Sequence, residues 1–280
     1  MEPRLDALDL STFASPNFRQ RVLSALILAP VALAAVYSGG IPYDAMVVAV
    51  ALLGLREWLR LIDPMLKFEV RAAAQASVLA TLLLGAWQSP ALGMMLAALL
   101  TLGLFVLAAR HDEHRAGWVA LGIPYMAGSG LALLYLRAAP EAGAGLVYYL
   151  FTTVWSTDSG AYIAGRLIGG PKLAPAISPQ KTWAGLGGGM ALAAILGYGV
   201  ALALGARQPL IGLALAVFLA CAAQVGDLFK SYFKRRAGVK ESGALIPGHG
   251  GVLDRIDGLV FAAVFFVLFQ IAIGGPVGWW

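Results

Sequence analysis

Nine apolar segments of roughly 20 residues each divide this chain. That length is what a helix needs to cross the hydrocarbon layer of a bilayer, where backbone polar groups must be satisfied within the segment. The sequence therefore predicts an all-α, polytopic integral membrane protein with about nine transmembrane helices. We place them at roughly 21–38, 43–62, 70–88, 91–109, 117–136, 144–165, 184–205, 209–229 and 253–274.

The composition supports this class. Hydrophobic residues make up 60% of the chain and charged residues only 12%, whereas about a quarter of a soluble domain is charged. We attribute the net charge of +5 to membrane topology and expect no nucleic-acid partner. The single cysteine, Cys221, lies in an apolar segment and is predicted to be a buried small residue.

The distribution of Lys and Arg predicts the orientation. With a cytoplasmic N-terminus, eighteen of the twenty fall in cytoplasmic segments, and only Arg137 and Arg207 lie outside. We therefore expect a multi-pass protein of the inner (cytoplasmic) membrane with its C-terminus outside. Residues 1–140 would form about five spans, and residues 141–280 about four spans with two cytoplasmic loops.

The stretch 224–258 is the strongest candidate for chemistry, because it holds six of the twenty basic residues and four of the fifteen acids. A helix would place four of its residues on one face, at spacing i, i+3, i+4 and i+7: Asp227, Lys230, Ser231 and Lys234. Asp254 and Asp257 lie three apart in the next helix. Carboxylates bind hard cations, so the pattern predicts a phosphate ligand bridged by a metal at the cytoplasmic face.

A second candidate region precedes it. Asp158 is a carboxylate at membrane depth, which is a functional-site hypothesis by default, although a solvated helix end is the alternative. Ser178, Lys181 and Thr182 offer hydroxyl and ammonium donors in the following loop. They do not form a Walker A loop, because the required glycines before Lys-Thr are absent.

Two further features have plainer interpretations. For the glycines at 185 and 187–189 we favour close helix packing over phosphate contact. For Glu57, which neighbours Arg56 and Arg60 near a span end, we favour an interfacial ion pair.

The stretch 231–257 resembles the signature of phosphatidate cytidylyltransferases, also called CDP-diacylglycerol synthases. Fourteen positions carry the resemblance: Ser231, Lys234, Arg235, Lys240, Glu241, Gly243, Ile246, Pro247, His249, Gly250, Gly251, Asp254, Arg255 and Asp257. Gly226–Leu228, Asp158–Tyr162 and Ser178–Trp183 also fit, so the resemblance covers residues 155–260. The chain departs from the family at Glu241, usually Asp, and at Gln180 and Ala184, often Lys and Glu.

The resemblance implies transfer of the cytidylyl group of CTP to phosphatidic acid, giving CDP-diacylglycerol and pyrophosphate for phospholipid synthesis. Mg²⁺ is the expected cofactor, with Asp227 and Asp254 as prime ligands. Asp257 is expected either to complete the cation site or to orient Arg255. A second cation, either K⁺ or another divalent ion, and a homodimer are open alternatives.

The other expected roles concern the substrates. His249 is expected to donate to the leaving group and Gly250 and Gly251 to offer backbone N–H groups. Asp158 is expected to add a ligand or to pair with a basic residue. The remaining side chains are expected to bind nucleotide or lipid phosphate: Ser178, Lys181, Thr182, Ser231, Lys234, Arg235, Lys240 and Arg255.

The sequence has three rival interpretations. A transporter would explain carboxylates near membrane depth, but it predicts repeat symmetry that the chain lacks. A lipid kinase or a CDP-alcohol phosphotransferase is a second rival, and the chain lacks the motif of the latter. A basic loop that only anchors the protein to anionic lipid would leave the acids and glycines without a role.

Overall fold

The computed structural model describes residues 16–246, 250–274 and 279–280. Within these ranges the chain forms nine α-helices and one hairpin of two short strands. The helices are α1 (Pro16–Ser38), α2 (Gly40–Ile62), α3 (Phe68–Trp87), α4 (Pro90–Ala109), α5 (Glu113–Arg137), α6 (Gly143–Leu167), α7 (Trp183–Ala203), α8 (Pro209–Arg236) and α9 (Leu253–Ala272), and the strands are β1 (Lys172–Ala174) and β2 (Ser178–Thr182).

Six of these helices are long and apolar enough to cross a membrane: α3, α4, α5, α7, α8 and α9. Large apolar side chains such as Met95, Leu99 and Leu102 of α4 are exposed on the surface of the bundle, as lipid-facing residues would be. The chain is therefore a predominantly helical membrane protein. The described apolar part of α1 is shorter, Leu26–Ser38, and the number of nine spans stays a prediction.

The hairpin is the one departure from an all-α fold in the described residues. It joins α6 to α7, in a segment for which the sequence predicted a loop. The two strands are antiparallel, with Lys172 opposite Thr182 and Ala174 opposite Ser178. The hairpin therefore brings β2, with Lys181, to the start of α7.

Helix α5 lies at the centre of the bundle and packs against α2, α3, α4, α6 and α9. The most extensive helix pairing is between α6 and α7. A Cβ atom at Gly185 would lie 2.9 Å from the backbone oxygen of Ala161, and one at Gly189 would lie 2.7 Å from that of Thr157. These glycines allow the two backbones to touch, which confirms the packing interpretation.

Helix α8 has 28 residues and is about 42 Å long, whereas the hydrocarbon layer is about 30 Å thick. The helix is therefore longer than a perpendicular crossing of that layer requires, and its last two turns carry Lys230 and Lys234. Helix α9 packs along α8 and begins beside these turns.

Loops predicted to share one side of the membrane do lie at one end of the bundle. Arg115 of α5 contacts Asp63 after α2 at 3.2 Å, and Arg235 of α8 donates to the backbone oxygen of Ile177 in the hairpin at 3.2 Å. We call this the basic end. At the other end Arg137 donates to the backbone oxygen of Val36 at 2.8 Å.

Candidate active site

Lys230 lies among three aspartates at the basic end. Its ammonium nitrogen is 3.1 Å from Asp254 Oδ1 and 3.9 Å from Asp227 Oδ1, and it forms an ion pair with Asp257 Oδ2. The spacing of three residues on α8 and on α9 points these side chains into the interface between the two helices. The side chain of Lys230 is only 4% exposed, so its charge is neutralised by these carboxylates rather than by water.

Two further lysines complete the cluster. Lys234, one turn after Lys230, is 2.8 Å from Asp254 Oδ1. Lys181 of β2 is 2.8 Å from Asp227 Oδ2 and donates to the side-chain oxygen of Gln224 at 2.6 Å. The hairpin thereby contacts α8. We call Asp227, Asp254 and Asp257 with Lys181, Lys230 and Lys234 the aspartate–lysine cluster.

The loop between α8 and α9 folds over Asp254. The second oxygen of this carboxylate, Oδ2, accepts hydrogen bonds from Ser242 N at 2.8 Å, Ser242 Oγ at 2.9 Å and Gly251 N at 3.2 Å. Gly250 has a φ of +79°, a backbone conformation that glycine adopts without strain. A Cβ there would lie 3.0 Å from Asp254 Oδ2, so the turn depends on the missing side chain.

Asp158 joins this site from α6. Its carboxylate lies within electrostatic range of Asp227, Lys181, Lys230 and Arg255. The residue is exposed, as is Arg255 in the first turn of α9. The sequence regions around 158, 181, 227 and 254 are thus brought together by the packing of α6, α8 and α9 with the hairpin.

Other predicted site residues have local structural contacts. Ser231 Oγ donates to Asp227 Oδ1 at 3.2 Å, and Arg235 contacts the hairpin backbone. Thr182 is buried and caps α7, because its Oγ1 accepts the N–H of Gly185 at 3.0 Å.

Ser178 is half-buried and Lys240 is exposed. Their substrate contacts stay predictions, and His249 lies outside the described residues.

The contacts of the aspartates bear on the predicted metal site. In the described parts of the chain, no group of three His, Cys, Asp or Glu residues has the spacing to hold a metal ion. The Lys230 ammonium lies where an ion shared by all three aspartates would bind. Asp227 is the most accessible of the three, because its side chain is 31% exposed, against 6% for Asp254 and 13% for Asp257, although its oxygens also contact Lys181 and Ser231. Mg²⁺ is often bound by one or two carboxylates together with substrate phosphates.

Sequence reasoning missed the role of Glu57. The ion-pair interpretation is wrong, since Glu57 is buried and accepts hydrogen bonds from Val252 N at 3.0 Å and Leu253 N at 2.8 Å, at the start of α9. An acid within an apolar segment was the available signal. Its partners lie about 195 residues away in sequence, so only the tertiary structure identifies them.

Comparison with known proteins places this sequence in a family. The sequence model of the Cytidylyltransferase family matches residues 19–272. A phosphatidate cytidylyltransferase of Brucella suis is 38% identical over 269 residues, covering 93% of this chain and 96% of that protein. Proteins of the same name from Pseudomonas aeruginosa and Bacillus subtilis are 36% and 31% identical, covering 91% and 89% of this chain and 98% and 96% of their own lengths. The chain therefore belongs to the cytidylyltransferase family.

Proposed function

We propose that this protein transfers the cytidylyl group of CTP to phosphatidic acid, giving CDP-diacylglycerol and pyrophosphate. The observation that carries the proposal is the aspartate–lysine cluster in a family member whose relatives bear the name phosphatidate cytidylyltransferase. A membrane-embedded enzyme suits a lipid substrate, because phosphatidic acid stays in the bilayer while its phosphate lies at the surface.

The chemistry requires little acid–base catalysis. A phosphomonoester has a second pKa of roughly 6, so phosphatidate is an anionic nucleophile at neutral pH. One of its oxygens attacks the α-phosphorus of CTP and forms a new P–O bond. The bond from the α-phosphorus to the bridging oxygen breaks, and its electron pair leaves with pyrophosphate. The demand on the protein is to bring anions together and to stabilise charge on the leaving group.

The basic residues meet that demand in this proposal. Lys181 and Lys234, at the edges of the cluster, bind phosphate oxygens and are held ready by Asp227 and Asp254. Exposed cations around the cluster attract the triphosphate and the lipid headgroup: Arg235, Lys240 and Arg255. Lys230 is buried, and we assign it the task of keeping the three aspartates together.

Mg²⁺ is part of the proposal, with Asp227 as its accessible ligand and Asp158 nearby. A bound Mg²⁺ neutralises charge on the triphosphate. A second cation, K⁺ or a divalent ion, would balance the additional negative charge of Asp158. His249 stays our proposed donor to the leaving pyrophosphate.

The proposed setting is the inner membrane, with nine spans, the N-terminus in the cytoplasm and the C-terminus outside. Support comes from the location of the basic loops at one end of the bundle and from the excess of Lys and Arg in them. This orientation places the cluster at the cytoplasmic face, where CTP is available.

Labelled CTP tests the reaction directly. The purified protein is incubated in detergent with phosphatidic acid and Mg²⁺, with CTP carrying ³²P at either the α or the γ position. We expect the α label in the lipid extract and the γ label in pyrophosphate. Transfer of the γ label to lipid would identify a kinase, and no transfer of either label would refute the proposal.

A further inference from the structure

Glu57 is a buried acid whose partners all lie in or beside the loop that covers Asp254. The residue is 4% exposed and lies near the end of α2, in the N-terminal half of the chain. Its two oxygens accept the N–H groups of Val252 and Leu253 and the hydroxyl of Ser242. Helix α9 has no side-chain cap of its own, so a residue of another helix satisfies its first N–H groups.

The loop is shaped around this carboxylate. A Cβ at Gly243 would lie 2.6 Å from Glu57 Oε1, and a Cβ at Gly251 would lie 2.5 Å from Ser242 Oγ and would also overlap Glu57. Both distances are too short for real atoms, so the chain can pass the carboxylate only because these residues lack side chains. The close fit fixes the loop relative to α2.

Ser242 connects Glu57 to Asp254. Its Oγ is 3.0 Å from Glu57 Oε2 and 2.9 Å from Asp254 Oδ2. A hydroxyl has one hydrogen and donates it to one of these carboxylates at a time. The N–H of Ser242 donates to Asp254 Oδ2 in either case, at 2.8 Å. The orientation of Asp254 therefore depends on where Ser242 lies, and that depends on Glu57.

We propose that Glu57 is a positioning residue for the reaction. It acts through Ser242 and the start of α9 to hold Asp254 against Lys230 and Lys234, and it forms no hydrogen bond or ion pair with these three side chains in the described structure. The inference rests on the proposed function, since it assigns Asp254 and its lysines to the catalysed transfer. Through Glu57, helix α2 of the N-terminal half contributes to the geometry of the site.

Glu57→Gln is the primary test. The amide keeps the size of the side chain but presents an NH₂ group to N–H donors, so the loop should shift. A displacement of about 1 Å at a catalytic group costs roughly 100-fold in rate. We expect kcat per folded molecule to fall by about that factor, while KM for CTP changes little. Glu69→Gln, at an exposed acid in the first turn of α3, is the matched control and should behave as wild type.

A double-mutant cycle separates positioning from general destabilisation. Ser242→Ala should also lower kcat, and the pair Glu57→Gln/Ser242→Ala should be no slower than the worse single variant, because both act along one route. The proposal would be overturned if the losses in kcat of the two single variants added up in the double variant. It would also be overturned if Glu57→Gln had the kcat per folded molecule of wild type.

Hydrogen–deuterium exchange gives a readout that does not depend on the reaction. The amides of Val252 and Leu253 should exchange faster in Glu57→Gln than in wild type and in Glu69→Gln. If wild type makes no CDP-diacylglycerol, the proposed function fails and the positioning role in that reaction fails with it. If wild type is active but these amides exchange equally in all three proteins, only the role of Glu57 is refuted.

Discussion

The ammonium nitrogen of Lys230 lies 3.1 Å from the carboxylate oxygen Oδ1 of Asp254, across the interface between α8 and α9. Both side chains are buried, with 4% and 6% of their surface exposed. Each group has further ionic partners, so the desolvated charges are compensated within one cluster. Such a cluster is costly to disrupt, because removing one partner leaves a buried charge uncompensated.

Replacing Lys230 should therefore destabilise the protein. For Lys230→Met we expect a loss of about 3–5 kcal/mol in stability, measured as a lower Tm in detergent. The double variant Lys230→Met/Asp257→Asn removes one positive and one negative charge and should recover part of that loss. A Lys230→Met protein with the Tm of wild type would contradict the neutralising role of this lysine.

The aspartates should differ in their response to metal. We expect Asp227→Asn and Asp254→Asn each to lower CTP-dependent CDP-diacylglycerol formation by about 100-fold or more. Asp227→Asn should also raise the Mg²⁺ concentration needed for half-maximal rate, because Asp227 is the accessible carboxylate. A Mg²⁺ titration of both variants measures this. Near-wild-type rates in both would remove the metal assignment.

Lys181 should contribute to nucleotide binding through the hairpin. Hydrogen bonds to charged groups are worth about 1.5–3 kcal/mol, so Lys181→Ala should raise KM for CTP by roughly 10-fold or more. Lys172→Ala, at an exposed lysine at the start of the same hairpin, is the control and should leave KM near wild type. Equal KM values for the two variants would exclude Lys181 from the nucleotide site.

The close pairing of α6 and α7 should depend on specific glycines. A Cβ at Gly188 would overlap Ala164 and would lie 3.0 Å from the backbone oxygen of Gly160, so Gly188→Ala should cost about 1–3 kcal/mol and lower Tm. A Cβ at the adjacent Gly187 meets nothing within 4 Å. Gly187→Ala should therefore keep or raise Tm, and a similar decrease in both variants would argue against backbone contact.

The orientation can be tested with single cysteines, after Cys221→Ala removes the only natural one. A cysteine replacing the exposed Lys172 should react with a membrane-impermeant thiol reagent only from the cytoplasmic side. A cysteine replacing the exposed Arg207 should react only from outside. Labelling of both from one side would refute the proposed topology.

Much of the site was visible in the sequence because local periodicity determines it. The spacing of Asp227, Lys230 and Lys234 fixes one helix face whatever the helix packs against. The same holds for Asp254 and Asp257 on α9. The glycine pattern likewise indicated close packing of α7, which the contacts of Gly185 and Gly189 confirm.

Other relationships depend on long-range contacts that no local pattern encodes. The metal among the aspartates stays a prediction, and the position of Lys230 between them is known only from the structure. The spacing on α8 placed Lys230 on the same helix face as Asp227. The burial of Lys230, however, depends on how α9 packs against α8. Thr182 was expected to contact substrate, and its hydroxyl caps α7.

The sequence by itself determined that the chain is a helical membrane protein and which charged residues gather in its basic segments, because apolar length and charge distribution act locally along a chain. Only the tertiary structure decided which of those charges neutralise one another. Glu57 and Leu253 are 196 positions apart, and their 2.8 Å hydrogen bond exists because α2 packs beside the start of α9. A buried polar group needs a hydrogen-bond partner, because leaving it unpaired away from water is costly. Which residue becomes that partner is determined by how the helices pack.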